Sequence, residues 1–262
     1  MKALEIITTA QFLLGAVLVD KIYKEYDFFA YFYNKYWMAH SPTYFKKALE
    51  ILLFQHIKKG SNILDVCCGT GHSANIMEKA GYIVEGMDGS QLMLDYAKEN
   101  AKKCSFFQGD ARNFNLGKKY KGITCLFDSI NHMLSSDDLL QVFKNIYNHL
   151  EDNGVFLFDV NSLESCVNVF MGDVTVVEEN TAFISMGSYN EEDKLITYNL
   201  TAFIKEDNHY IRQDSVVYEK YYSEKTLMKY LKESGFKNIN ITYGQELNIE
   251  AFEDRIFFTV WK

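Results

Sequence analysis

Proline is almost missing from this chain of 262 residues: Pro42 is the only one. Chain punctuation therefore falls to Gly, Asn and Asp, and turns are read from those residues. Positive charge is in deficit, with a formal net charge of −8. That argues against a general affinity for nucleic acid, whose phosphates need Lys and Arg. A disulfide framework is missing too. The five cysteines are Cys67, Cys68, Cys104, Cys125 and Cys166, an odd number without regular spacing. Cys67 and Cys68 are adjacent and lack the two-residue gap of a metal knuckle. They read as reduced core thiols, so a cytoplasmic location and no bound metal are expected. No hydrophobic run reaches the length of a membrane span. IITTAQFLLGAVLV, residues 6–19, carries no charge, but a bilayer needs about 20 apolar residues. With only Lys2 in front and no small-x-small cleavage site, it is also a poor signal peptide. Internal repeats and low-complexity linkers are absent.

What is present is an ordinary globular composition, 48% hydrophobic and 24% charged, which allows a sizeable core. The 18 Tyr and 20 Phe suggest broad apolar walls. At helical spacing Ala3, Ile7, Ala10, Leu14 and Val17 share one face. This first helix is expected to dock on its own domain or to pair with a second copy as a homodimer. Residues 3–36 read as helical, with a break near Asp20 or Asp27. A further helix, Tyr44–His56, is closed by Lys58-Lys59-Gly60.

From there strands and helices alternate. Strands are expected at 62–66, 83–87, 105–108, 122–127 and 155–160, and helices at 73–80, 90–100 and 137–150, with Ser90 as an N-cap. This alternation argues for a parallel sheet covered on both faces. After Asn161 the character changes. Strands at 173–177, 181–189, 194–205 and 210–218 are separated only by polar turns and read as an antiparallel sheet. A helix at 223–234 and two closing strands at 237–243 and 255–261 follow. The expected fold class is α/β, a doubly wound Rossmann-like seven-stranded sheet with a closing antiparallel hairpin, plus a small antiparallel β insert. The expected organisation is an N-terminal helical extension (1–24), a cofactor-binding domain (25–162 and 221–262) and the insert (163–220), on the acceptor side.

The chemistry concentrates in ILDVCCGTG, residues 63–71. A strand that ends in Gly-x-Gly and feeds a helix brings bare backbone N–H groups against a ligand. Gly69 and Gly71 supply that turn. With Ala74 the run also fits the loose dinucleotide fingerprint. Asp65 discriminates: a carboxylate beside a pyrophosphate repels it, whereas a carboxylate beside a sulfonium amino acid helps. Asp88 ends the second strand, where a carboxylate accepts both ribose hydroxyls. Asp110, after the third strand in FFQGDAR, is placed to accept from an adenine amine, with the backbone of Ala111 addressing a ring nitrogen. Three acids at successive strand ends point to S-adenosyl-L-methionine.

On these residues the sequence resembles the class I S-adenosylmethionine-dependent methyltransferases. ILDVCCGTG resembles the family's glycine motif, GMDGSQLMLDYA the segment after its second strand, and FFQGDARNF its adenine-contacting turn. ITCLFDSINHMLSSDDLLQVFKNIYNHLEDNGVFLFDVNS is similar to a subgroup with an antiparallel insert that includes sugar N,N-dimethyltransferases and uncharacterised bacterial methyltransferases. EYDFFAYFYNKYW resembles its lead-in, with Asn34 in place of an Asp. The resemblance spans residues 26–262 and leaves 1–24 outside. It implies a cofactor set of Tyr33, Asp65, Gly69, Gly71, Asp88, Gly89, Met93, Asp110, Ala111 and Phe127. In it Gly89 and Met93 pack the nucleoside, Phe127 walls the sulfonium, and Tyr33 closes over the cofactor. Where subgroup members often carry His and Arg before the last helix, this chain has Val217 and Lys220.

Methyl transfer from a sulfonium needs positioning more than a dedicated base. His132 is a candidate base and Asp128 a candidate partner for a cationic amine. Arg212 in the insert is a candidate partner for an anionic acceptor. The expected activity is methyl transfer to a nitrogen or oxygen of a small-molecule acceptor. The alternatives are a catalytically silent cofactor-binding scaffold and, disfavoured by Asp65 and the closing hairpin, a nicotinamide oxidoreductase.

Overall fold

The computed structural model describes residues 23–37, 42–168, 173–249 and 253–262. The first-helix face, the break near Asp20 and the homodimer contact lie on residues 1–22, outside the described ones. Helix α1 (Lys24–Phe32) runs through Asp27 without a break and widens into a single π-helical turn, Tyr33–Trp37. Asp27 does not interrupt it because its carboxylate has a partner elsewhere. Ser90 Oγ donates to Asp27 Oδ1 at 2.7 Å. Helix α2 is Pro42–Leu52, with the only proline at its first position, where a missing N–H costs nothing.

The larger sheet has seven strands in the order β10-β11-β5-β4-β1-β2-β3. They are β1 (Asn62–Val66), β2 (Ile83–Asp88), β3 (Ser105–Gln108), β4 (Tyr120–Cys125), β5 (Leu150–Asn161), β10 (Asn238–Tyr243) and β11 (Arg255–Trp261). Strands β1 to β5 pair in parallel, while β11 runs antiparallel to β5 and β10 closes a hairpin on it. Each central strand alternates its apolar side chains between two cores. Leu64 and Val66 face α5 (Ser136–His149) and α7 (Glu224–Glu233), with Phe143, Ile146, Leu227 and Leu231. Ile63 and Val84 face α2 and α3 (His72–Lys79), with Leu49, Leu52, Ala74 and Met77. Helix α4 (Gln91–Asn100) is N-capped by Ser90, whose side chain accepts from Met93 N–H. No helix among the described residues is long and apolar enough to cross a membrane.

After β5 comes a short helix α6 (Leu163–Val167) that the sequence pattern did not announce. A separate four-stranded antiparallel sheet then follows in simple meander order. It contains β6 (Val174–Val177), β7 (Thr181–Asn190), β8 (Leu195–Glu206) and β9 (His209–Lys220). Its inner face carries Phe183, Leu200, Ala202 and Val217, which pack with Phe32 of α1 and the half-buried Phe29 and Trp37. Helix α1 is thus clamped between this sheet and the larger one. On the α4 side, Asn100 Nδ2 donates to Asn34 Oδ1 at 2.7 Å. The space enclosed by α1, β9 and the C-terminal edge of the larger sheet is a large cleft. It lies at the point between β1 and β4 where the strand order reverses, where α/β sheets hold ligands.

Candidate active site

The turn after β1 alternates left-handed residues: Cys67, Gly69 and Gly71 have φ of 56°, 52° and 77°. Gly71 is the N-cap of α3, and a Cβ there would come within 2.9 Å of the Ala97 backbone, so only glycine fits. Neither glycine presents a free N–H. Gly69 N–H donates to Asp88 Oδ2 at 2.8 Å, and Gly71 N–H to the Cys68 carbonyl at 3.0 Å. The expectation of bare donors facing a ligand is corrected accordingly: what the glycines offer is backbone surface without a Cβ. A Cβ built on Gly69 would meet the Tyr33 ring at 3.4 Å. Burial holds the Tyr33 hydroxyl well above the usual phenol range, so it stays neutral.

Asp65 is buried beneath this turn. Thr124 donates to its Oδ1 at 2.7 Å, while Oδ2 has no partner among the described residues. Burial raises its carboxyl to about 7, the Thr124 hydrogen bond opposing and the nearby Asp88 charge adding. With Tyr33, Ser73 and Phe127 it lines a small pocket under the loop rather than the main cleft. A buried carboxylate oxygen without a donor suits an ammonium group and not a phosphate. Asp88 accepts from the backbone of Gly69 and, at 2.9 Å, of Ser90. Burial nevertheless lifts it to about 6. Its neighbours Gly89, Met93 and Ala111 line the cleft. Asp110 is engaged differently from the sequence reading. Arg112 donates to both of its oxygens, at 2.9 and 2.7 Å. Burial pushes that carboxyl up, and the Arg112 contacts outweigh it and hold it below the usual range.

The fourth strand ends at Cys125, two residues before its expected limit. Phe127 and Asp128 form a left-handed turn, with φ of 65° and 52°, a conformation that costs non-glycine residues roughly 1–2 kcal/mol each. Asp159, fully buried on β5, holds the turn by accepting both backbone N–H groups, at 2.7 and 3.1 Å. Arg255, opening β11, pairs with Asp159 and lies 3.3 Å from Asp128. Asn161 Nδ2 then bridges two acids, donating to Asp128 Oδ2 at 2.8 Å and to Glu219 Oε2 at 2.9 Å. Glu219 comes from β9, and its carboxyl is raised well above the usual range by burial and by Asp128.

His132 completes the cluster, with Nε2 3.8 Å from Glu219 Oε1. Its Nδ1 is 3.1 Å from the Tyr218 carbonyl and 2.8 Å from the Tyr26 hydroxyl. A carbonyl only accepts, so the proton belongs on Nδ1, and Nε2 is left with a lone pair. Burial lowers the His132 pKa, so the ring is neutral at neutral pH.

These groups share one cavity of about 980 Å³, at the large end of small-molecule sites. Tyr33, Gly69, Asp88, Gly89, Met93, Ala111, Phe127, Asp128 and His132 all line it. Asp65, Gly71, Asp110 and Arg212 do not. Arg212 is exposed on the insert and paired with Asp214 at 2.9 Å, which takes it out of the site. Several lining residues went unread in the sequence: Tyr23, Tyr26, Cys67, Arg112, Asn161, Tyr198 and Arg255. Tyr23 lies on Gly89, where any Cβ would overlap its ring. The one signal for the acid network was Asp159, a lone charge inside the apolar strand VFLFDV.

Comparison with known proteins agrees with this architecture. A family model described as a methyltransferase domain matches residues 63–154. A putative methyltransferase of Geobacillus sp. (strain WCH70) is 29% identical over 246 residues, covering 90% of this chain and 99% of the relative. A dTDP-3-amino-3,6-dideoxy-alpha-D-glucopyranose N,N-dimethyltransferase of Streptomyces fradiae is 32% identical over 112 residues, 42% of this chain and 44% of that protein. Among solved structures, an S-adenosylmethionine-dependent methyltransferase from Clostridium acetobutylicum ATCC 824 superimposes with a TM-score of 0.73. It is 27% identical and is matched over 90% of this chain and 98% of its own. With the orphaned Asp65 oxygen and the side-chain-free turn fitting a sulfonium amino acid, the chain is an S-adenosylmethionine-dependent methyltransferase that carries a methyltransferase domain at residues 63–154.

Proposed function

We propose that this enzyme methylates a nitrogen of a small-molecule amine held between the larger sheet and the antiparallel insert. The observation that carries the reading is the buried pair Asp128 and Glu219, bridged by Asn161 and flanked by His132. Burial and Asp128 hold Glu219 toward its neutral form, and a cationic occupant would relieve that repulsion whereas an anionic one would add to it. The aromatic lining, Tyr26, Tyr33, Phe127 and Tyr198, favours an ammonium as well. The Streptomyces fradiae relative, named for N,N-dimethylation of an amino sugar, supports nitrogen over oxygen.

In this reading Asp65 Oδ2 faces the amino group of the cofactor and Asp88 the ribose. Gly69, Gly89, Met93 and Ala111 pack around the nucleoside, and Tyr33 and Phe127 wall the sulfonium side. Gly71 and Asp110 act one step back: Gly71 shapes the helix entry, and Asp110 fixes Arg112. S-adenosylmethionine supplies an electrophilic methyl group on a good leaving group. The protein's part is positioning and proton handling. Asp128 and Glu219 draw in the protonated amine. His132 Nε2 takes the proton that the nitrogen must lose, and the emerging charge is shared with Glu219.

The test is methyl transfer from labelled cofactor to matched amine and hydroxyl acceptors, alongside calorimetry of cofactor binding. Amines are expected to be labelled and alcohols not, with Asp128→Asn lowering kcat/KM for the amine about tenfold or more. Asp88→Ala is expected to weaken cofactor binding at least about tenfold, roughly 1.4 kcal/mol. Transfer to hydroxyls alone, or unchanged cofactor affinity in Asp88→Ala, sinks the reading.

A further inference from the structure

Beyond the pair at Asp128, the cavity as a whole has a charge. Six carboxylates line it: Glu25, Asp88, Asp128, Asp138, Glu219 and Asp254. Against them stand two guanidinium groups, Arg112 and Arg255, and both are already held by acids. Arg112 grips Asp110 at 2.7 Å and reaches Asp138 at 3.7 Å. Arg255 is paired with Asp128 and Asp159. With His132 neutral and Glu219 held toward its neutral form, the described lining carries a surplus of three negative charges. A bound cofactor, with one sulfonium, one ammonium and one carboxylate, offsets only one of the three.

A nucleoside diphosphate brings about two further negative charges and would meet no cation in this wall that is not already engaged by a carboxylate. Like charges brought together in a partly desolvated site cost several kcal/mol. The acids are also spread out. Asp128 and Glu219 lie deep, whereas Glu25 projects from α1 on the Tyr26 side of His132, half-buried. That leaves one anionic position at the reacting nitrogen and a second on α1 in the same cavity.

On the reading that the acceptor is an amine, we propose that it is a phosphate-free compound with at least two ammonium groups, one seated at Asp128 and Glu219 and another facing Glu25. Its class is that of the linear di- and triamines or a diamino sugar, and not the nucleotide-linked sugars for which some relatives are named. The acids act as a filter: they raise the local concentration of polycations and exclude phosphorylated amines.

Calorimetry on the full chain saturated with S-adenosylhomocysteine tests this without turnover. Spermidine is expected to bind, weakening steeply as salt rises, while thymidine diphosphate shows no heat. Glu25→Gln is expected to weaken spermidine about fivefold and to leave a monoamine, cyclohexylamine, within about twofold. In parallel, an amino sugar is offered to the enzyme and labelled cofactor as its methyl glycoside and as its thymidine diphosphate conjugate. Preference for the glycoside supports the proposal. No spermidine heat up to about 10 mM, unchanged spermidine affinity in Glu25→Gln, or equal turnover of the conjugate overturns it. The last result leaves the amine reading standing, whereas transfer only to hydroxyls removes both.

Discussion

The two walls of the cleft are built on different principles. On the cofactor wall, Asp65, Asp88 and the glycine turn follow directly from the ends of neighbouring parallel strands. Their polar contacts are mostly to nearby backbone, as in Asp88 with Gly69 and Ser90. On the acceptor wall, Asp128, Asn161, Glu219 and Arg255 come from four distant stretches, and side chains hold one another in place. The first wall is a feature of topology, set by where neighbouring strands end. The second is a closed charge network, in which removing one member exposes the rest.

The largest test of that contrast is Arg255→Met. It leaves Asp159 and Asp128 buried without their cation, so a loss of about 3–5 kcal/mol is expected, read from urea unfolding. Restoring much of it with Arg255→Met/Asp159→Asn would show that the uncompensated charge is responsible. A loss below about 1 kcal/mol would put the acceptor wall on the same footing as the cofactor wall.

Next in size is the pH response of Asp65 in cofactor-free protein. Its folded carboxyl titrates at about 7, against an ordinary 3.8. The folded state therefore holds the proton more tightly than the unfolded chain, and stability falls as pH rises from about 4 to 7. Asp65→Asn keeps the acceptor for Thr124 and is expected to remove a fall on the order of 2–4 kcal/mol. A smaller decline from Asp88, whose carboxyl titrates near 6, would remain. Parallel pH curves for wild type and variant would show that Asp65 is not held in its buried, donor-poor state.

The smallest effect belongs to Arg212→Ala. That side chain is exposed and paired only with exposed Asp214, so about 0–1 kcal/mol is expected, with KM for any acceptor unchanged. A marked rise in KM would move Arg212 back into the acceptor wall.

Much of the first wall was legible because its signals are local. Strands 62–66, 105–108 and 255–261 fall where periodicity placed them, and Ser90 caps α4 as read. The reading went astray where distant contacts decide the backbone. The fourth strand stops short of Phe127 because Asp159 captures the next turn. Asp27 does not break α1 because Ser90 binds it. Asp110 turns to Arg112, two residues on, a choice that proximity in sequence permits but does not dictate. Glu219 and Asn161 carried no pattern at all, since nothing near either of them in sequence names its partner.

By itself, then, the order of residues determined the alternation of strands and helices, the place of the turn without side chains and the acids at the strand ends. These depend on interactions within a few residues and on period. Tertiary structure alone decided which charges are buried together. The physical reason is that a carboxylate's character depends on the water removed from it and the charges brought beside it. For Asp128 and Glu219, both are supplied by residues roughly 30 to 130 positions away.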